Sequence, residues 1–117
     1  MDIAALKPAE TATMQVNHPL TGEPIEGASI ELYGTDSRHY FGLQLDDVIS
    51  RARGKFSEDE DLKDRLLAKF VAMTKSVKGL EYNGEPLDAK KLYTEYPWAL
   101  EQVQKFVDDR ANFFPSA

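Results

Sequence analysis

Residues that could carry out chemistry are few in this chain, and their spacing argues against a catalytic or metal site. The 117 residues include two histidines and no cysteine, which excludes thiolate chemistry and disulfide bonds. His18 precedes a proline in a turn-rich stretch, and His39 lies in the first turns of a predicted helix. No spacing links either histidine to a carboxylate as metal ligands would require, so both are expected at the surface.

The acidic pairs are equally weak candidates for acid–base catalysis. Asp46–Asp47 and Asp108–Asp109 are each adjacent in sequence, so that on a helix their carboxylates point in different directions. The chain also lacks the GxxxxGKS/T phosphate loop and the GxSxG nucleophile turn. We therefore expect a protein that is not an enzyme and that holds no metal or other cofactor.

Charge and hydropathy narrow the classes of partner. The net charge is −6, with 20 acidic against 14 basic residues, whereas a nucleic-acid binder normally presents a basic face. The N-terminus lacks the basic region and apolar run of a signal peptide, and no stretch approaches the roughly 20 apolar residues of a membrane span. We expect a soluble intracellular protein that binds neither nucleic acid nor a membrane.

Alternating apolar and polar residues predict a β-hairpin near the N-terminus. Residues 13–17 and 28–32 alternate with a period of two, and the stretch between them is rich in proline and glycine. The length suits a single domain over 1–117. Within it we expect an N-terminal arm and hairpin over 1–33 and a helical part over 35–114.

Apolar residues at helical spacing predict three to four α-helices after the hairpin, and hence an α+β fold that is mainly helical. The first helix is expected to be capped by Thr35 or Asp36. Its apolar stripe consists of Phe41, Leu45, Val48, Ile49 and Ala52. The second helix is expected to begin at the capping box Ser57–Glu60, to carry a stripe from Leu62 to Val77 and to end before Gly79.

Two shorter signals follow the second helix. Asn83–Gly84 predicts a tight turn with a brief strand bridge, because this dipeptide favours the left-handed backbone of hairpin turns. Asp88 can cap a short helix through Leu92 and Tyr93.

The last predicted helix runs from Pro97 to the residue before Pro115 and includes the strongest candidate binding residues. Proline is favoured at the first helical position, and the residue before a proline is pushed out of the helical region. Arg110 falls in the middle of the broad apolar face, where an arginine must pair with a carboxylate or carbonyls, or extend to water. Phe113 and Phe114 either enter the core or anchor a partner.

Two groups of segments together resemble a known family. Near the N-terminus stand LKPAETATM, HPLTGEPI and ASIELYGTDSRHY, and near the C-terminus stand LEYNGEPLD and YPWALEQVQKFVDDRANFF. This order resembles the tail assembly chaperones of long-tailed, lambda-like bacteriophages and prophages. The most specific part is the Pro-Trp pair followed by EQV, a phenylalanine and DRANF. The matching segments cover about half of the chain, and residues 41–79 add only a general helical pattern.

The resemblance implies a non-enzymatic late protein of virion morphogenesis. Such chaperones bind the tape measure protein and keep it soluble until tail-tube subunits polymerise around it. They act in the cytoplasm of the host bacterium, are absent from the mature virion and self-associate, and a longer frameshifted product brings in the major tail protein. On this basis we expect an apolar groove lined partly by the last helix. The expected partner-binding residues are Trp98, Phe106, Phe113 and Phe114, with Arg110 as a structural or inter-subunit pin.

Two other functions stay open at this point. A structural subunit of a phage tail or connector, built by pairing hairpins between copies, would be retained in the particle. A small enzyme or nucleic-acid binder belongs to a different class, and salt-dependent binding to DNA would favour it.

Overall fold

A computed structural model describes residues 2–54 and 62–114 of the chain. The predicted hairpin is present, since strands β1 (Thr11–Asn17) and β2 (Pro24–Tyr33) pair antiparallel with Met14 opposite Ile30. Strand β3 (Thr74–Lys78) pairs antiparallel with the other edge of β2, which gives the order β1-β2-β3. Alternate apolar residues of β1 and β2 lie on one buried face, as the period of two predicted.

The described residues contain four α-helices, which confirms an α+β fold with an N-terminal hairpin followed by helices. These are α1 (Arg38–Ala52), α2 (Leu62–Ala72), α3 (Ala89–Glu95) and α4 (Pro97–Asp108). The capping box predicted at Ser57–Glu60 lies outside the described residues.

The observed helix starts follow capping chemistry. Ser37, rather than Thr35 or Asp36, caps α1: its hydroxyl donates to the Gly34 carbonyl at 2.6 Å and accepts from the Tyr40 N–H at 3.0 Å. Asp88 caps α3 as predicted, accepting from the Lys91 N–H at 2.7 Å, and Pro97 opens α4.

The predicted continuation of the second helix to Val77 is wrong. Helix α2 ends at Ala72, and the hydroxyl of Thr74 donates to the Phe70 carbonyl at 2.7 Å where the chain leaves the helix. Val77 then lies opposite Ile30 in the sheet. Each buried backbone N–H and C=O needs a hydrogen-bond partner. In this segment β2 provides those partners, so the backbone does not need the hydrogen bonds of a longer helix.

The segment predicted to be helical over 35–114 therefore also contains strands. Besides β3, the short strands β4 (Glu81–Tyr82) and β5 (Glu85–Pro86) pair across the predicted Asn83–Gly84 turn. Asn83 and Gly84 both have positive φ, 52° and 83°, as a tight hairpin turn requires.

Helices α2, α3 and α4 cover the apolar face of the sheet. Residues buried in this core include Ile30, Leu32, Phe70, Met73, Leu92, Tyr93, Val103 and Val107. The side-chain amide of Gln102 ties α4 to β1, because it donates to the Asn17 carbonyl at 2.8 Å and accepts from the Asn17 N–H at 3.0 Å. Among the helices of the described residues, none is long and apolar enough to cross a membrane.

The prediction of one continuous helix up to Phe114 is also wrong. Helix α4 ends at Asp108, and a 3-10 turn over Arg110–Phe113 follows. The Asp109 carboxylate accepts the Ala111 N–H at 3.2 Å and caps this turn. Because α4 ends at Asp108, residues 110–114 do not lie on the helix face that a continuous helical period predicted for them.

Candidate partner-binding surface

The aromatic residues predicted to bind a partner pack against the domain instead of forming one exposed surface. Phe113 is only 1% exposed. Its ring packs edge-to-face on that of Phe106, with centroids 5.7 Å apart and an interplanar angle of 74°. Trp98 and Phe106 are partly buried against the core, and Phe114 is half-buried. In this conformation the last helix contributes mainly to the core.

Arg110 pairs within the chain and not across an apolar face. Its Nε and Nη2 donate to the two carboxylate oxygens of Asp36 at 2.6 and 2.7 Å. The hydrogen bond from Arg110 holds the pKa of the Asp36 carboxyl below its usual value, and the carboxylate raises the pKa of Arg110 in return. The pair joins the turn after α4 to the loop before α1. Because α4 ends at Asp108, the Arg110 side chain leaves the helix face and is 69% exposed.

The largest exposed apolar side chains at helical spacing lie on α1. Phe41, Leu45, Val48 and Ile49 are between 40% and 67% exposed. All residues of α1 are described, and none of them is buried. At about 100° per residue the four side chains share one face. We call this surface, made of Phe41, Leu45, Val48 and Ile49, the α1 apolar face.

The opposite side of α1 faces α2 across an open cleft of about 540 Å³. Leu43, Asp47 and Ser50 of α1 line it, facing Ala68 and Lys69 of α2. An amphipathic helix usually buries its apolar stripe and exposes its polar side. Helix α1 has the opposite orientation, because its mainly polar side faces the domain and its apolar face points outward.

Helix α1 is attached mainly through its first turn. The His39 ring stacks on Tyr33 with centroids 3.9 Å apart, and its Nε2 lies 2.6 Å from the Ala72 carbonyl. The ammonium group of Lys69 lies 5.6 Å from the centre of the Tyr40 ring. His39 is exposed as predicted, but it also connects α1, β2 and the end of α2, a role that sequence spacing did not indicate.

Among the described residues, two exposed arginines stand at the ends of the α1 apolar face. Arg38 is at its N-terminal end, and Arg53 follows at its C-terminal end. The long contact from Arg38 to Glu10 is 3.9 Å. Asp46, Asp47 and Arg51 line the cleft instead, and Arg51 pairs there with Asp47 at 3.2 Å.

The described residues contain no group of three or more histidine, cysteine or acidic side chains that could hold a metal ion. His18 serves a turn, because its Nδ1 accepts from the N–H groups of Leu20 and Thr21 at 3.1 and 3.3 Å. The arrangement suits binding through an apolar helix face.

Comparison with protein-family models, with curated proteins and with solved structures found no match.

Proposed function

We propose that this protein is a non-enzymatic tail assembly chaperone of a long-tailed bacteriophage or prophage. It binds the tape measure protein, keeps it soluble and promotes assembly of the tail tube. The proposal combines the resemblance of the N- and C-terminal segments to this family with one structural observation. That observation is the α1 apolar face, which is exposed although the remainder of the described chain has a packed core.

An exposed apolar face of this kind fits a helical client. Helix α1 has 15 residues and is therefore about 22 Å long. Amphipathic helices bind to apolar helical surfaces through residues spaced at i, i+3, i+4 and i+7. A long helical client offers many such segments, so weak contacts to several copies of the chaperone add up.

The proposal includes the cellular setting of such a chaperone. The protein acts in the host cytoplasm, self-associates around the client and leaves before the virion is complete. A longer frameshifted product would bring the major tail protein to the same complex. None of these steps needs a cofactor.

The alternative is a structural subunit that is retained in the tail or connector. A subunit of that kind is expected to assemble through hairpins that pair between copies. In this chain β3 pairs with the second edge of β2, and Gln102 bonds to the backbone at the end of β1. Both observations leave less free hairpin edge for a second copy, which favours the chaperone.

Co-expression with the tape measure protein of the same gene cluster tests the proposal. We expect the tape measure protein to be soluble only with this chain and to co-purify with many copies of it, as measured by native mass. Purified virions should lack the chain by mass spectrometry. An insoluble tape measure protein beside a chain that elutes alone would contradict the chaperone function, and the chain's presence in virions would favour the structural subunit.

A further inference from the structure

We propose that the client's docking site is the α1 apolar face and that its occupant is an amphipathic helix whose apolar stripe is bordered by carboxylates. This inference rests on the proposed chaperone function and adds to it the surface and the chemistry of the client segment. It replaces the last helix, whose aromatic residues pack against the domain, as the expected contact.

The apolar part of the site has the geometry of one side of a helix pair. Phe41, Leu45, Val48 and Ile49 follow the i, i+4, i+7, i+8 spacing of an apolar stripe. With 40% to 67% of each side chain exposed, a partner helix can remove much of this apolar surface from water. The space around Gly42 beside the stripe is open, because a Cβ there would meet no described atom within 4 Å.

The charges around this face select the partner's polar residues. Arg38 and Arg53 stand at its two ends, while Asp46, Asp47 and Arg51 line the cleft. Glutamate or aspartate beside the client's stripe would therefore pair with Arg38 and Arg53. The chain as a whole has a net charge of −6, which alone would favour a basic client. Local charge decides the contact, because exposed charges further apart than roughly 8–10 Å are largely screened.

A second copy of α1 does not fit this surface as well. Arg38 stands at one end of this face and Arg53 at the other. Antiparallel pairing of two copies would place Arg38 of one copy beside Arg53 of the other. Parallel pairing would place each arginine beside its own counterpart. Like charges are adjacent in both arrangements, which disfavours self-pairing through α1.

An anionic membrane surface is a competing occupant that the test must separate from a helix, because arginines at the ends of an apolar stripe can also attract anionic lipids. Vesicles of phosphatidylglycerol and phosphatidylcholine therefore form one arm of the test.

Two designed peptides test the chemistry of the occupant with the intact chain. Each is an amphipathic helix with a leucine stripe, bordered in one by glutamates and in the other by lysines. We expect the glutamate peptide to bind about tenfold tighter by fluorescence anisotropy, an advantage that falls as salt is raised. Equal or tighter binding of the lysine peptide, or preferential binding to the vesicles, would overturn the inference.

Paired variants test the location of the site. Leu45→Gln with Val48→Gln should weaken binding of the glutamate peptide at least about tenfold, whereas Leu20→Gln should change it less than about twofold. Leu20 is a suitable control because its side chain is 90% exposed in the hairpin turn. Arg38→Glu with Arg53→Glu should remove the preference for the glutamate peptide. Lys78→Glu with Lys90→Glu makes the same change of charge on exposed residues elsewhere and should keep the preference.

Co-expression separates failure of this inference from failure of the proposed function. We expect the wild-type chain to keep the tape measure protein soluble and the Leu45→Gln, Val48→Gln variant to fail while remaining folded by circular dichroism. If both keep it soluble, the chaperone function stands and the α1 site is overturned. If the wild-type chain does not keep the tape measure protein soluble, both the chaperone function and the α1 site are contradicted. A drop in the native mass of the free protein on the same substitutions would make α1 a contact between copies and overturn the inference.

Discussion

At the scale of single residues, Tyr93 shows how burial of a polar group makes stability depend on pH. Its side chain is buried, and burial raises the pKa of the phenol to about 12, partly opposed by the hydrogen bond with Thr74. The hydroxyl oxygens of Tyr93 and Thr74 lie 2.7 Å apart where α2 gives way to β3. A neutral, hydrogen-bonded phenol thus supports the point at which the chain changes from helix to strand.

Tyr93→Phe is expected to reduce the loss of stability at alkaline pH. An unfolded tyrosine loses its proton near pH 10, whereas folded Tyr93 keeps it until about pH 12, so stability falls as pH rises through this window. From pH 8 to pH 11 the free energy of unfolding of the wild type should fall by about 1 kcal/mol more than that of the variant. Urea unfolding at both pH values measures the difference. Tyr82→Phe, at an exposed tyrosine, should retain the wild-type dependence, and an unchanged slope in Tyr93→Phe would contradict the prediction.

The Arg110–Asp36 pair has the opposite dependence on pH. Because Arg110 lowers the pKa of Asp36, the carboxylate contributes stability above its unfolded pKa of about 3.9, and this stability is lost as pH falls through the lower folded value. Arg110→Met should lower Tm slightly at pH 7, since the arginine is largely exposed, and the difference from wild type should shrink as the pH is lowered below the unfolded pKa. Thermal unfolding of both proteins at a series of pH values from 7 downward measures this difference.

The Arg110→Met variant also distinguishes a structural role of the arginine within one chain from a role in a contact between subunits. Intrachain pairing predicts an unchanged native mass for Arg110→Met. A smaller oligomer with an unchanged Tm would assign the arginine to a contact between copies. Lys105→Met removes an exposed ion pair to Glu101 and controls for loss of one surface charge.

The position of Phe113 shows why the sequence did not predict whether a single candidate residue is buried or exposed. Its position at the end of an apolar stripe fitted both a core residue and a partner anchor. The choice depends on Gly34, which is distant in sequence: a Cβ at Gly34 would lie 2.7 Å from the Phe113 ring. The glycine leaves room for the ring, and this long-range fit has no local signal.

At the scale of elements, local signals predicted several features correctly. The strand alternation, the Asp88 cap, Pro97 and the Asn83–Gly84 turn are such features. The cap of α1, which is Ser37, and the C-terminal ends of α2 and α4 were not predicted correctly. An apolar residue every three or four positions continues into β3 through Val77, but pairing with β2 decides that segment's conformation, and pairing is nonlocal.

Gly79 is a further element-scale constraint, because it allows the turn after β3 to pass close to β2. It has φ of +77°, and a Cβ there would lie 2.0 Å from the Gly27 carbonyl oxygen. Gly79→Ala should therefore cost about 3 kcal/mol or more, from the left-handed backbone and the clash with backbone atoms together. Gly84→Ala is the matched control: φ is +83° with nothing within 4 Å, so only about 1 kcal/mol is expected. Equal costs in urea unfolding would contradict the predicted clash.

The exposure of the α1 apolar face could not be read from its stripe. The spacing of Phe41, Leu45, Val48 and Ile49 predicted an amphipathic helix, and α1 is one. Whether a stripe is buried depends on whether another element offers an unfilled apolar surface. Helices α2, α3 and α4 already cover the apolar face of the sheet, so α1 keeps its stripe outside.

At the scale of the whole molecule, overall and local charge point to different partners. The net charge of −6 alone suits a basic client. The three-dimensional arrangement instead places the exposed arginines Arg38 and Arg53 at the two ends of the exposed apolar face, while Asp46 and Asp47 line the cleft. Partner chemistry therefore follows from which residues share a surface and not from composition.

If the protein is the proposed chaperone, the number of bound copies should increase linearly with the length of the tape measure protein. If each copy covers one length of α1, about 22 Å, it occupies roughly 15 residues of a client helix as a lower limit. Deleting half of the tape measure protein's helical region should then halve the number of bound copies, as measured by native mass of the co-purified complexes. The Leu45→Gln, Val48→Gln variant should bind to neither client length if α1 is the site. A copy number that stays constant when the client is shortened would indicate one localised binding site, and coating along the client helix would be ruled out.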